Sequence, residues 1–158
     1  NTGDGFAPCT AEAVMAILNY YGIEMAGKKA VVIGRSLVIG RPVAMLLMHK
    51  QATVTICHSR SKKIDKISRK ADILVAAAGQ MQSIDRNYIK EGQIVIDVGI
   101  HWDEKAQKLC GDAVTNDVEE VVAAVTPVPG GVGAVTTSIL AKHVLEAAIK
   151  RRGIVDEI

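Results

Sequence analysis

The feature that most constrains this chain is a repeated alternation. Short, nearly unbroken apolar runs, Lys29–Ile33 (KAVVI), Thr53–Cys57 (TVTIC), Asp72–Ala77 (DILVAA) and Gln93–Asp97 (QIVID), are separated by stretches with helical spacing. A strand that is apolar on both faces must be covered on both faces, which a parallel sheet between crossover helices achieves repeatedly. With right-handed crossovers the expectation is an α/β doubly wound parallel sheet in three α/β/α layers.

The composition agrees. Apolar residues make up 49% of the 158 and aromatics only 3%, as suits a buried sheet rich in Ala, Val and Ile. One core accounts for that length, so residues 1–158 read as one domain. Thr10 is positioned to cap a first helix with the apolar stripe Val14, Ile17, Leu18 and Tyr21, which Gly22 stops. A second helix is expected from near Pro42 to about Lys50, and a short one carries Ile64 and Ile67. A weaker strand is expected around Asp112 to Val114. The closing helix spans about Thr136 to Arg152, with Ile139, Leu140, Val144, Leu145 and Ala148 inward and Gly153 as its stop.

Several function classes are set aside. A net charge of +2 argues neither for nor against nucleic acid by itself, and no nucleic-acid partner is expected. Cys9, Cys57 and Cys110 are far apart and form no C-x-x-C pair, so neither a metal site nor a disulfide framework is expected, and a reducing, cytoplasmic setting fits. No apolar run reaches membrane-spanning length, so no membrane partner is expected.

The chemistry concentrates after the first strand, in AVVIGRSLVIGRPVAM (Ala30 to Met45). In a doubly wound sheet, ligands bind at the carboxyl ends of the strands, and a helix amino terminus there favours phosphate. Gly34 permits a sharp turn and Gly40 close packing of the helix. Between them Arg35 offers a charged fork and Ser36 a hydroxyl. The second strand ends in His58-Ser59-Arg60, with no carboxylate until Asp65, although a site for NAD commonly places an acid there to hold the ribose 2′-hydroxyl. A hydroxyl and cations suit a 2′-phosphate. Arg35, Ser36, Ser59 and Arg60 therefore read as an anion cradle for NADP, with His58 beside it. The basic stretch Arg60 to Lys70 is otherwise a solvated helix face. Thr126-Pro-Val-Pro-Gly-Gly-Val-Gly133 combines a rigid approach with bare peptide groups that a flat ligand could meet closely.

These motifs together resemble the bifunctional methylenetetrahydrofolate dehydrogenase/cyclohydrolase family. The matching segments are FAPCT (Phe6 to Thr10), GRSLVIGRP (Gly34 to Pro42), CHSR (Cys57 to Arg60), ADILVAAAG (Ala71 to Gly79), VIDVGI (Val95 to Ile100), Gly111-Asp112 and TPVPGGVG. The resemblance implies a Rossmann-like NAD(P)-binding domain. It also implies oxidation of 5,10-methylenetetrahydrofolate to the methenyl form with NADP, then hydrolysis to 10-formyltetrahydrofolate, within one-carbon metabolism and purine biosynthesis. It places the cofactor on Gly34, Arg35, Ser36, Ser59 and Ile100, and the folate side on Pro129, Gly130, Gly131 and Thr136. It further implies a homodimer.

Two segments depart from the family pattern: Ala11-Glu-Ala stands where Pro-x-Gly is usual, and Gly133-Ala-Val-Thr136 where Gly-Pro-Met-Thr is usual. The family's catalytic Tyr-x-x-x-Lys helix is absent, since Tyr20, Tyr21 and Tyr88 lead to Glu24, Met25 and Gly92. The chain, which starts at Asn1, is thus expected to be a fragment lacking the amino-terminal catalytic domain, with no catalytic residue of its own. Asp97 and Asp112 are expected to serve structure, and His49, His101 and His143 to be surface or satisfied histidines. The competing readings are a non-catalytic dinucleotide-binding sensor and a different two-domain dehydrogenase.

Overall fold

A computed structural model of the chain describes residues 5–152. The main sheet has five parallel strands in the order β2-β1-β3-β4-β7: β1 Lys29–Ile33, β2 Thr53–Cys57, β3 Ile73–Ala76, β4 Ile94–Asp97 and β7 Ala124–Val125. Side chains alternate between two cores. Ala30, Val32, Ile73, Val75 and Ile96 face α1 (Cys9–Tyr20), α2 (Gly40–His49) and the first turns of α5 (Val132–Arg151). Val31, Ile33, Leu74, Ala76 and Val95 face α3 (Ile64–Ser68), a 3₁₀ turn at Arg86–Tyr88 and α4 (Thr115–Glu119). The doubly wound, three-layered expectation holds, because strands apolar on both faces are stable only with helices on each.

Strand β1 has β2 on one side and β3 on the other, so the chain reverses its direction of travel across the sheet between β1 and β3. That switch point opens a crevice at the carboxyl ends of the strands.

Several local expectations need correction. Pro8, not Thr10, occupies the N-cap of α1, and Thr10 lies inside the helix. Gly22 does stop α1: it adopts φ +64°, and its amide and that of Ile23 bond back to Asn19 and Leu18 carbonyls. Tyr21, expected inside, is 71% exposed. The closing helix α5 begins at Val132, four residues before the expected Thr136, and Thr136 and Thr137 lie inside it. Their hydroxyls donate to the Val132 and Gly133 carbonyls within the helix. Gly153 lies outside the described residues. An antiparallel hairpin was not expected: β5 His101–Asp103 pairs with β6 Lys108–Cys110. In place of a strand at Asp112 to Val114 there is an isolated bridge between Ile84 and Ala113.

The largest correction concerns α5. Ile139 is half-buried, but Leu140, Val144, Leu145 and Ala148 are exposed, and the buried residue in that part of the helix is His143. Apolar spacing alone does not say which face meets the core. The helix is also long and apolar enough, by length and composition, to cross a membrane, contrary to the expectation for any segment of this chain. Its amino-terminal turns pack on the sheet core through Val132, Val135 and Ile139.

Leu74 lies in the middle of β3, fully buried. Leu74→Ala should lower unfolding free energy by about 2–5 kcal/mol, read as an earlier midpoint in urea denaturation with an unchanged folded spectrum.

Candidate cofactor site

The turn from β1 to α2 is built by steric necessity. Gly34 has φ +129°, and a Cβ there would lie 2.0 Å from the Ala77 carbonyl oxygen at the end of β3. At Gly40 a Cβ would lie 2.2 Å from the Gly34 carbonyl oxygen. Both glycines are required because strand, turn and helix meet without room for a side chain. Ser36 Oγ accepts hydrogen bonds from the Ile39 and Gly40 amides at 3.0 and 3.3 Å, closing the turn and leaving its own proton to donate outward. Among the described residues, none accepts a hydrogen bond from the amides of Arg35, Ser36, Leu37 or Val38. These free donors, the Ser36 hydroxyl and the Arg35 guanidinium share one loop tip in front of α2, where the helix dipole favours an anion.

The next loop is adjacent, since Gly34 N–H donates to the Cys57 carbonyl at the end of β2 at 2.8 Å. The turn after β2 is closed by the His58 amide donating to Ser61 Oγ and the Arg60 amide donating to His58 Nδ1. His58 thus shapes the turn, while Ser59 and Arg60 stand exposed beside Arg35 and Ser36 without side-chain partners among the described residues. Ile100, two strands away after β4, is 63% exposed on the same carboxyl end of the sheet. Sequence reasoning missed the exposed apolar rim of Leu37, Val38 and Met81, at 73%, 62% and 47% exposure. Their location after strands β1 and β3 was the available signal. Such residues suit the flat faces of a dinucleotide's rings.

Two buried carboxylates hold this end of the sheet in shape. Asp97 accepts from the amides of Gly99, Asp112 and Ala113. Asp112 accepts from the amides of Gly79 and Gln80 and lies 2.8 Å from His101 Nε2. Gly111 is glycine because a Cβ there would sit 2.0 Å from an Asp97 oxygen. The structural roles expected for Asp97 and Asp112 hold, and His101 is a satisfied histidine. Burial raises the Asp97 carboxyl above the ordinary range, opposed by its three amide donors and reinforced by the Asp112 charge.

Of the residues expected on the folate side, Pro129, Gly130 and Gly131 lie in the loop between β7 and α5 and Thr136 lies within α5. Thr126 Oγ1 accepts from the Asp97 amide at 2.8 Å and anchors that loop to β4; the Val128–Pro129 bond is cis. Gly130 and Gly131 line an apolar groove of about 690 Å³ that runs over β4 and β7 beside Ile17, Tyr20 and Tyr21 of the α1 end. Pro129 is exposed at the loop and Thr136 is one turn into α5; neither lines the groove. This apolar groove lies on the β4–β7 flank of the sheet and not at the loop after β1.

The crevice, its glycine turn and its row of free donors define a dinucleotide-binding domain of the doubly wound class. Residues 8–152 match the family described as tetrahydrofolate dehydrogenase/cyclohydrolase, NAD(P)-binding domain, and the chain belongs to it. It is 53% identical over 152 residues to the bifunctional protein FolD of Carboxydothermus hydrogenoformans, covering 96% of this chain and 53% of that protein. Its fold matches the crystal structure of the bifunctional FolD enzyme of Campylobacter jejuni with a TM-score of 0.90 at 40% identity, over 94% of this chain and 52% of that one. It also matches the Trypanosoma brucei methylenetetrahydrofolate dehydrogenase-cyclohydrolase, whose structure is complexed with NADP and an inhibitor, with a TM-score of 0.84 at 42% identity, over 96% and 52% of the two chains. The chain spans about half the length of these relatives.

A carboxyl raised in the folded state binds its proton more tightly there than in the unfolded chain. Its stabilising contribution is complete below the ordinary unfolded range near pH 4 and is lost as pH rises through the folded value. The stability deficit of Asp97→Asn relative to the parent should therefore be largest at about pH 4 and shrink toward neutrality in urea denaturation. A deficit that grew with pH would reverse the sign assigned to burial.

Proposed function

We propose that this chain is the cofactor-binding part of an NADP-dependent enzyme. The reaction it serves oxidises 5,10-methylenetetrahydrofolate to the methenyl form, and the enzyme then hydrolyses that to 10-formyltetrahydrofolate. The observation that carries the reading is the cradle at the switch point: free loop amides at 35–38, the Ser36 hydroxyl, and the side chains of Arg35, Ser59 and Arg60 on one rim, with no carboxylate closing the β2 end. Naming of the relatives as bifunctional, and the NADP in the trypanosomal relative, support the same direction.

In this reading the Arg35 fork and the loop amides hold the pyrophosphate. Ser59 and Arg60 hold the ribose 2′-phosphate, a charge-assisted contact that a free hydroxyl would not supply. Gly34 and Gly40 let the backbone come close, and Ile100 and Met81 shield the ring faces. NADP supplies hydride acceptance when bound. Gly130 and Gly131 border the folate side, with Pro129 and Thr136 shaping the loop around them. Hydrolysis needs acid–base groups that the relatives' other half would contribute, because the acids buried here are spent on backbone amides.

That other half would also cover the apolar groove by β7, and the exposed apolar face of α5 at Leu140, Val144 and Leu145 would serve a homodimer contact. Free thiols at Cys9, Cys57 and Cys110 suit a cytoplasmic setting. Purine biosynthesis, a consumer of formyl groups, is the process served. A free-standing sensor is not favoured, since the relatives are enzymes of twice this length.

Calorimetric titration of the purified chain tests the cradle. NADP⁺ should bind, and Arg35→Ala or Ser59→Ala should each weaken it by about tenfold, the scale of one charge-assisted hydrogen bond. NAD⁺ should bind much more weakly. Equal binding of both would remove the 2′-phosphate assignment, and binding of neither by the folded chain would overturn the cradle.

A further inference from the structure

A second constellation lies between α1 and α5. Cys9 is the first residue of α1, and Glu12 follows three positions later on the same face. Across from them, on α5, His143 is 7% exposed. Its Nε2 is 2.9 Å from Glu12 Oε2, and its Nδ1 is 3.5 Å from Cys9 Sγ. A carboxylate cannot donate, so Nε2 carries the ring proton and Nδ1 turns its lone pair to the thiol. Phe6 stacks on the imidazole, ring centroids 4.6 Å apart, and fixes its plane. The charged groups facing the pair are Glu12 from α1 and Lys150 from α5, whose ammonium lies over the outer side of the Phe6 ring. Thiol, imidazole and carboxylate thus stand in sequence, with the sulfur at the positive end of a 12-residue helix and only half-buried.

None of this serves the cofactor cradle. A helix-to-helix fastening would need only His143 and Glu12; the ring's second nitrogen is aimed at an accessible sulfur. The other two thiols differ on every count. Cys57 and Cys110 are 1% and 4% exposed, and burial raises both. No second thiol is hydrogen-bonded to a ring nitrogen among the described residues.

We propose that Cys9 is a histidine-assisted nucleophile, a modification site for small soft electrophiles and in particular for hydroperoxides. In the reaction with a hydroperoxide, sulfur attacks the terminal oxygen, an S–O bond forms and the O–O bond breaks. His143 Nδ1 takes the thiol proton and returns it to the departing oxygen, which leaves as water or alcohol. Sulfur is oxidised by two electrons to the sulfenic acid and the peroxide is reduced by two. Glu12 acts as a positioning residue that fixes the tautomer and orientation of the ring.

The test is alkylation of the folded 158-residue chain by iodoacetamide, followed by intact mass and peptide mapping. In that reaction an S–C bond forms and iodide leaves. At pH 7 the adduct should form at Cys9 first, about tenfold faster than with N-acetylcysteine. His143→Asn should abolish that advantage, and Glu12→Gln, which keeps an acceptor for Nε2 but removes the negative charge that favours a protonated ring, should cut it severalfold. The advantage over N-acetylcysteine, whose unassisted thiol slows about tenfold per pH unit below its ordinary value near 8.5, should widen as pH falls. Packing between the helices would not produce that profile. If His143→Asn fails to fold, the Glu12→Gln rate and the wild-type pH profile decide the matter. Hydrogen peroxide with dimedone should tag Cys9 alone. A Cys9 rate and pH profile matching N-acetylcysteine, or labelling of Cys57 or Cys110 first, overturns the proposal.

Discussion

The carboxyl end of this sheet depends on two buried carboxylates. Asp97 and Asp112 between them take six N–H donors, three each, from Gly79, Gln80, Gly99, His101, Asp112 and Ala113. Loops in this position would otherwise leave amides facing one another out of water, at a cost of about 1–3 kcal/mol for each unpaired group. One acid ties the loop after β3 to the β5–β6 hairpin, and the other ties the same hairpin to the end of β4. Thr126 extends the connection to the loop before α5. Every segment that faces the crevice after β3 and β4 is therefore located by a side chain buried beneath it.

On the β1 side, the same problem is solved by removing side chains. Gly34 and Gly40 bring strand, turn and helix close together, and the loop amides of residues 35–38 find no acceptor among the described residues. Ser36 occupies the two amides nearest the helix, and the remaining ones are left for a ligand. A rigid scaffold under a loop of unpaired donors is the general form of an anion site, and the exposed cations of Arg35 and Arg60 set its sign. Exposed apolar residues border the crevice as well, Leu37 and Val38 on the same loop and Met81 and Ile100 after β3 and β4.

Much of this was legible in the residues. KAVVI and TVTIC matched their strands to the residue, because β-branched runs bounded by turn residues have few alternatives. The glycine turn, the His58-Ser59-Arg60 strand end and Gly22 as a helix stop were equally plain. The hairpin at His101–Cys110 was not, because HWDEKAQKLC shows no clear apolar alternation and its two strands pair only with each other, outside the main sheet. The start of α5 was misplaced because Gly131 and Gly133 discourage a helix locally; packing of Val132 into the core outweighs them.

By itself the sequence determined the layered fold, the bounds of β1 and β2 and the residue chemistry of the glycine turn after β1. Those depend on patterns of neighbours along the chain, where period and propensity act directly. Tertiary structure alone decided which face of α5 is inside, since an apolar stripe of Leu140, Val144 and Leu145 is silent about what lies opposite it. It also decided that Cys9 and Glu12 meet His143, residues more than 130 positions apart in the chain. Contacts over such separations carry no periodic signature. They exist because α1 and α5 pack side by side on one face of the sheet, and only closing the fold brings those helices together.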